Sequence, residues 1–266
     1  AAWALHYVRF AEEMARAGAP LWGISVQNEA EAVTPWESCV WSAEEERDFI
    51  RDYLGPSLER AGLGMLKILA WDHNRDGMLE RAAIVYSDPE AAKYVWGLGY
   101  HWYGDARFEI WPGRSKVAYE DRLEAAKVEF AASQRFGRSS GSSEAPQARV
   151  DFTELRSRLG LGNVRLVAEL QPDKHLLFTE GCQELGGRPL ASVIEDWRLG
   201  ERYAMNIIAD LNSGCEGWID WNLCLDETGG PNHTGNLCAA PVICDTRTDQ
   251  VLYLSSYWYL AHFSRY

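Results

Sequence analysis

Residues 21–30 read Leu-Trp-Gly-Ile-Ser-Val-Gln-Asn-Glu-Ala, a short apolar run that closes on an Asn-Glu pair. Such a run reads as a buried β-strand, with the polar pair at its carboxyl-terminal end. Four later segments repeat the pattern. Met65–Ala70 runs into Trp71-Asp72, Gly97–His101 into Trp102-Tyr103, and Leu176–Thr179 into Glu180; Gly217–Trp221 precedes a loop rich in Gly, Pro and Asn that continues through Asn236. Helical signals fall between them. Trp3–Ala17 carries Leu5, Val8 and Met14 at helical spacing and stops at Gly18. Ser42 with Glu45 spells a capping box that opens a helix through Phe49, Ile50 and Leu54 toward Gly62. Asp88-Pro89 caps and starts another, expected to reach Val95. Residues 113–135 are amphipathic, Val193–Leu211 reads as one long helix, and Val251–Phe263 as a final aromatic one.

Alternating strand and helix is the pattern of a parallel sheet. Five such units are too few for an eight-stranded barrel, which takes about 250 residues. The expected fold class is therefore α/β, an incomplete (β/α)8 TIM barrel holding the last five strand–helix units. Residues 1–266 form one catalytic domain in this reading, with a flexible insertion at about 133–150 around the SSGSS stretch at 139–143. The alternative is a complete doubly wound domain of five strands. Against it, no GxGxxG or GxxxxGK[ST] follows any strand.

Composition narrows the function. The 266 residues suffice for a sizeable core, and 47% hydrophobic with 24% charged residues excludes wholesale disorder. A net charge of −13 argues against a phosphate backbone as partner, so no nucleic acid is expected. Twelve Trp and twelve Tyr supply flat faces of the kind that stack on sugar rings, although most tryptophans serve cores. Six cysteines allow fifteen pairings and single out none. No CxxC or Cys/His cluster has metal-ligand spacing, so neither metal nor cofactor is expected. Asn232-His233-Thr234 is a glycosylation sequon, meaningful only in a secreted chain. No apolar run is long enough to cross a bilayer. The chain opens at Ala1 within a helical pattern and without a legible signal peptide, which leaves location open.

The chemistry rests on two glutamates. Glu29 and Glu180 each close an apolar run, and barrel enzymes keep their reacting groups at such strand ends. A retaining glycosidase needs two carboxyl groups about 5 Å apart, one as acid/base and one as nucleophile. A single acidic residue closing a strand is most often a capping group; the pair makes glycoside hydrolysis the leading expectation. Two other motifs fail. Asp72 to Gly77 copies the start of an EF-hand loop, but its twelfth position is Ala83 and lacks the bidentate carboxylate. Cys182, two residues beyond Glu180, has no His–Asn arrangement to activate it and reads as a thiol in the site wall.

LWGISVQNEA (21–30), DPEAAKYVWGLGYHWYGD (88–105), LLFTEGC (176–182) and GWIDWNLCLDETGGPNHTGN (217–236) together resemble glycoside hydrolase family 30, most closely its glucosylceramidases. The similarity covers most of the chain and fails at about 105–170. It implies a (β/α)8 barrel of which these are the fourth to eighth units, a β-sandwich appended to it, and retention of configuration. It places Glu29 as acid/base after the fourth strand and Glu180 as nucleophile after the seventh. It gives Asn28 the sugar 2-hydroxyl, His101 and Tyr103 the positioning of Glu180 and the sugar, Trp221 a stacking face, and Asn236 a hydroxyl contact. The implied partners are a glycosphingolipid or other β-glucoside and a membrane surface that presents the lipid, in a lysosomal or secreted setting. Other family-30 specificities, a β-1,6-glucanase or a xylanase, and an inactive sugar-binding fragment are the alternatives. For the acid/base role, burial and the Glu180 carboxylate are expected to raise the Glu29 pKa while Glu180 stays ionised. Two departures stand out. Ala30 replaces the proline that usually follows the acid/base, an exchange expected to loosen that turn, and His233 stands where an aromatic is usual.

Overall fold

The structure, a computed structural model, describes residues 1–104, 163–185 and 188–266. The helix expected at 113–135 and the insertion expected at 133–150 lie outside the described residues.

Five strands form one parallel sheet: β1 (Gly23–Ser25), β2 (Lys67–Asn74), β3 (Val95–His101), β4 (His175–Glu180) and β6 (Gly217–Trp218). Their spatial order is β1-β2-β3-β4-β6. Each new strand is laid beside its predecessor, as in a β/α barrel, whereas a doubly wound sheet reverses direction at a switch point. That order rules out the doubly wound alternative. The sheet is an incomplete barrel, with β1 and β6 each hydrogen-bonded on one side within it. Backbone approach is close in the middle: a Cβ on Gly97 would sit 2.0 Å from the His175 carbonyl oxygen, so only glycine lets β3 and β4 meet there.

The helices follow their local signals with instructive exceptions. Ser42 Oγ accepts the Glu45 N–H at 3.1 Å and the Glu45 carboxylate accepts the Ser42 N–H at 2.8 Å, which completes the capping box. The helix it opens, α2 (Ala43–Phe49), runs through a π-helical turn at Ile50–Leu54 into α3 (Gly55–Arg60). In α1 (Ala2–Arg16) the inward face is Ala4, Val8 and Ala11. Leu5, expected on that face, is 45% exposed. Two helices carried no recognised signal: α4 (Met78–Tyr86), which follows the failed EF-hand segment, and α6 (Asn163–Leu170). Between them, α5 (Pro89–Ala92) is capped by Asp88 as expected but stops early, because β3 already begins at Val95.

Two expectations in the last third need correction. The single helix expected at Val193–Leu211 is α7 (Leu190–Ile194) and α8 (Trp197–Asn212). They are separated at Asp196, whose carboxylate accepts the Arg198 N–H and starts a new helix. The helix expected at Val251–Phe263 is a strand, β10 (Gln250–Tyr253), followed by α9 (Ser255–Arg265). Val251 to Tyr253 pair antiparallel with β9 (Val242–Asp245), which also pairs in parallel with β7 (Cys224–Asp226). Hairpin pairing with β9 across residues 246–249 outweighed an apolar run that locally suited a helix. A two-stranded ribbon of β5 (Gln183–Glu184) and β8 (Cys238–Ala239) completes a second apolar cluster with Leu185, Leu199, Leu225 and Ile243.

The main core lies between sheet and helices, with Trp71, Tyr100, Trp102 and Phe178 fully enclosed. Buried charges tie the strand ends to it. Arg75, just beyond β2, donates to Asp210 at 2.6 Å and to Asn206 at 3.0 Å on α8. Arg81 pairs with Glu46 at 3.1 Å, and Glu46 in turn accepts the Trp71 N–H at 3.1 Å. Burial pushes the Glu46 carboxyl up to about 7 against the pull of Arg81.

Candidate active site

A cleft of about 680 Å³ opens at the carboxyl-terminal ends of the strands, lined by residues including Asn28, Asp72, Thr179, Glu180, Asp220 and Trp221. Backbone strain concentrates at its rim. Glu29 (φ 50°), Trp71 (φ 73°), Asp72 (φ 50°) and Asn222 (φ 69°) all take left-handed conformations that side chains other than glycine adopt at a cost. The turn carrying Glu29 is held without the proline that Ala30 replaces. The Glu29 N–H donates to the Asp72 carbonyl at 2.8 Å, and the Trp41 N–H donates to the Ala30 carbonyl at 2.8 Å.

Asp72 is the hub that sequence reading passed over. The His101 Nε2–H donates to Asp72 Oδ1 at 3.0 Å, and the Thr179 hydroxyl donates to the same oxygen at 2.6 Å. Two strand ends, those of β3 and β4, are thereby fixed to the end of β2. The opposite face of the His101 ring presents Nδ1 to Glu29 Oε1 at 3.5 Å, and His73 Nδ1 lies 3.9 Å from the same oxygen. Asp72 was visible in the sequence as a third carboxylate ending a strand run, but its resemblance to an EF-hand position drew attention to the wrong chemistry. A register shift between Trp71 and His73 turns the end of β2 so that adjacent residues both reach the site.

Electrostatics distribute the protons differently from the expectation. Burial opposes protonation of His101, but hydrogen bonds to Asp72 and Glu29 and the attraction of Asp72 and Glu180 outweigh it and lift the ring to about 9. His101 is thus an imidazolium near neutral pH. Its hydrogen bond holds the Glu29 carboxyl below the usual carboxylate value, against desolvation. Glu180 is pushed the other way, up to about 7, first by burial and then by repulsion from Glu29 and Asp72. The expected order, Glu29 raised and Glu180 low, is therefore reversed in the unliganded site, because the imidazolium stands against Glu29.

The remaining expected residues separate clearly. Asn28 and Trp221 face the cleft, and Trp221 is 51% exposed. Tyr103, half-buried beside Glu180, bears on that carboxyl in the direction that favours the anion. His101 is enclosed and acts through Glu29 and Asp72 rather than from the cleft wall. Asn236 is not among the cleft residues; its N–H donates to Asn232 Oδ1 at 3.1 Å within the loop. Cys182 is buried with its sulfur 3.2 Å from that of Cys238, so it does not form the cleft wall. Asp220, which no sequence signal marked, lines the cleft with its carboxyl raised well above the usual range by burial.

The sequence model described as the glycosyl hydrolase family 30 TIM-barrel domain matches residues 1–124 and 163–266. The match extends to residue 124 and resumes at 163, a shorter gap than the 105–170 read from the motifs. Putative glucosylceramidase 3 of Caenorhabditis elegans is 31% identical over 271 residues, covering all of this chain and 42% of that protein. Lysosomal acid glucosylceramidase of Mus musculus is 29% identical over 268 residues, covering 99% of this chain and 42% of the mouse protein. Among solved structures, the endo-beta1,6-glucanase BT3312 superposes with a TM-score of 0.70 at 25% identity, over 98% of this chain and 47% of the glucanase. The chain spans less than half the length of each of these relatives.

Proposed function

Because the chain belongs to glycosyl hydrolase family 30, we propose that Glu29 and Glu180 are the acid/base and nucleophile of a retaining β-glucosidase acting on glucosylceramide. The observation that carries this reading is placement: Glu180 lines the cleft beside Asn28 and Trp221, and Glu29, next to Asn28 in the chain, stands 3.5 Å from His101 at the same strand ends. In the first step Glu180 forms a bond to the anomeric carbon as the glycosidic bond breaks, and Glu29 gives its proton to the departing oxygen. In the second, Glu29 takes a proton from water as that water displaces Glu180. A separation of about 5 Å between the carboxyl groups belongs to this reading.

The proton must be on Glu29 when the bond breaks. His101 Nδ1, 3.5 Å from Glu29 Oε1, is the neighbouring group able to hand it over, and the neutral ring would keep its Nε2–H on Asp72. Asn28 would hold the 2-hydroxyl and Trp221 the sugar face, while Asp72 and Thr179 fix the frame. The glucosylceramidase names of the relatives support a glycosphingolipid substrate, and a membrane surface that presents it is part of this proposal. Asn236 is left out of this reading, since it does not line the cleft.

The test is covalent trapping in a form of the protein whose barrel is closed around this chain. A cyclophellitol-type β-glucoside inactivator should label the wild type on Glu180, fail to label Glu180→Gln, and still label Glu29→Gln more slowly. Label mapped to any other residue, or no label at all, overturns the roles and favours a sugar-binding fragment. A second specificity, hydrolysis of a β-1,6-glucan, is favoured by the glucanase match. Comparing turnover of glucosylceramide with that of β-1,6-glucan decides between the two.

A further inference from the structure

We propose that Glu29, His73 and His101 form a binding site for a borderline divalent cation of the Zn²⁺ type, and that occupancy blocks the site. Their ligand atoms lie within 4.8 Å of one another, with Glu29 Oε1 3.5 Å from one imidazole Nδ1 and 3.9 Å from the other. A tetrahedral ion with bonds of about 2.0–2.1 Å holds its ligand atoms about 3.4 Å apart, so the two Glu29 contacts need only a few tenths of an ångström, and the two ring nitrogens, within 4.8 Å of each other, draw together on binding. Neither Nδ1 makes a hydrogen bond of ordinary geometry, although both atoms are buried. The two rings thus converge on one carboxylate oxygen.

The surroundings are those of a metal ligand. His101 has its outer nitrogen fixed on Asp72, which also accepts the Thr179 hydroxyl. A carboxylate behind a histidine sets the tautomer and leaves the inner nitrogen free to coordinate. His73 takes no part in the glycosidase chemistry described above; the register shift at the end of β2 nevertheless brings it to Glu29. Two imidazoles and one carboxylate suit Zn²⁺ or Co²⁺ rather than Mg²⁺ or Ca²⁺, and a fourth position remains for water. Coordination replaces the proton between His101 and Glu29, which leaves to solvent. The three ligands come from residues 29, 73 and 101, a spacing that no linear zinc motif contains. Metal capture stands on geometry alone; the inhibitory half rests on the glycosidase reading of Glu29.

The test begins with Co²⁺ added to the 266-residue chain in a Cys224→Ser/Cys244→Ser background, which removes an exposed thiol pair whose sulfurs lie 3.3 Å apart. Visible absorption of four-coordinate Co²⁺ should saturate at one ion per chain and be displaced by Zn²⁺. His73→Ala and the milder His73→Gln should each weaken binding by more than the roughly tenfold typical of losing an outer partner, and His262→Ala should not. No absorption, or His73 variants that bind as the parent does, overturns the site. In the closed-barrel form, Zn²⁺ should inhibit hydrolysis of an aryl β-glucoside, and His73→Gln should relieve the inhibition relative to its own metal-free rate. Metal bound through His73 in a protein with no glycosidase activity leaves the site standing and defeats the functional reading. Metal bound with activity unchanged overturns the inhibitory half.

Discussion

At the scale of single residues, the site carries more negative charge than its surroundings comfortably hold. Asp72, Glu29 and Glu180 face one imidazolium, and burial, with repulsion from Glu29 and Asp72 behind it, lifts the Glu180 carboxyl from 4.5 to about 7. A group whose folded pKa exceeds its unfolded value adds stability below the unfolded pKa and loses it as pH rises through the folded one. For Glu180 the loss falls between about 4.5 and 7. Glu180→Gln, which cannot ionise, should therefore raise the free energy of unfolding at pH 8 by roughly 1–3 kcal/mol and leave it nearly unchanged at pH 4.5. Urea unfolding of parent and variant at the two pH values checks this. Equal shifts at both would mean that the carboxyl is not held out of its charged form. Such an exchange of stability for function is common at catalytic sites.

Among the elements, the end of β2 is the piece on which the site depends. Its reach to Asn74 puts Asp72 in the cleft wall and His73 beside Glu29, and brings Arg75 over Tyr100 and Phe178, each ring centre 5.6 Å away. Arg75 and Asp210 are both fully enclosed, so each charge depends on the other. Arg75→Met should cost about 3–5 kcal/mol, because it leaves Asp210 buried and unpaired. Arg75→Met with Asp210→Leu should recover much of that loss, since an apolar pair of similar volume avoids desolvation. Thermal denaturation of the single and double variants is the measurement; a double variant as unstable as the single would show that hydrogen bonding, not charge burial, dominates there.

For the molecule as a whole, the open sheet sets the behaviour of the isolated chain. β1 and β6 are hydrogen-bonded on one side within the sheet, and Trp22 on the β1 side is 55% exposed while Leu223, beyond β6, is 79% exposed. Unpaired parallel edges with apolar neighbours favour association. The 266-residue chain should therefore elute as oligomers in size-exclusion chromatography with light scattering and hydrolyse β-glucosides slowly. A monodisperse monomer with ordinary glycosidase rates would show that these edges are protected by other means. Among the described residues, no helix is long and apolar enough to cross a membrane.

The sequence by itself determined the strand–helix alternation, the capping box at Ser42, the cap at Asp88 and the two glutamates, Glu29 in the turn after β1 and Glu180 at the end of β4. Each of these is encoded within a few residues, in an apolar period or a side chain that bonds its own backbone. The order β1-β2-β3-β4-β6, which separates a barrel from a doubly wound sheet, was decided by which strands pair across many tens of residues. The conversion of Val251–Tyr253 from helix to strand is local by contrast, since its partner β9 lies just across residues 246–249. Asp72, His73 and Asp220 acquire meaning only when separate strand ends converge. The charge states of Glu29 and Glu180 lay furthest from the sequence. They depend on desolvation and on a histidine more than seventy residues from either glutamate along the chain, and both fall off with distance in space rather than in sequence.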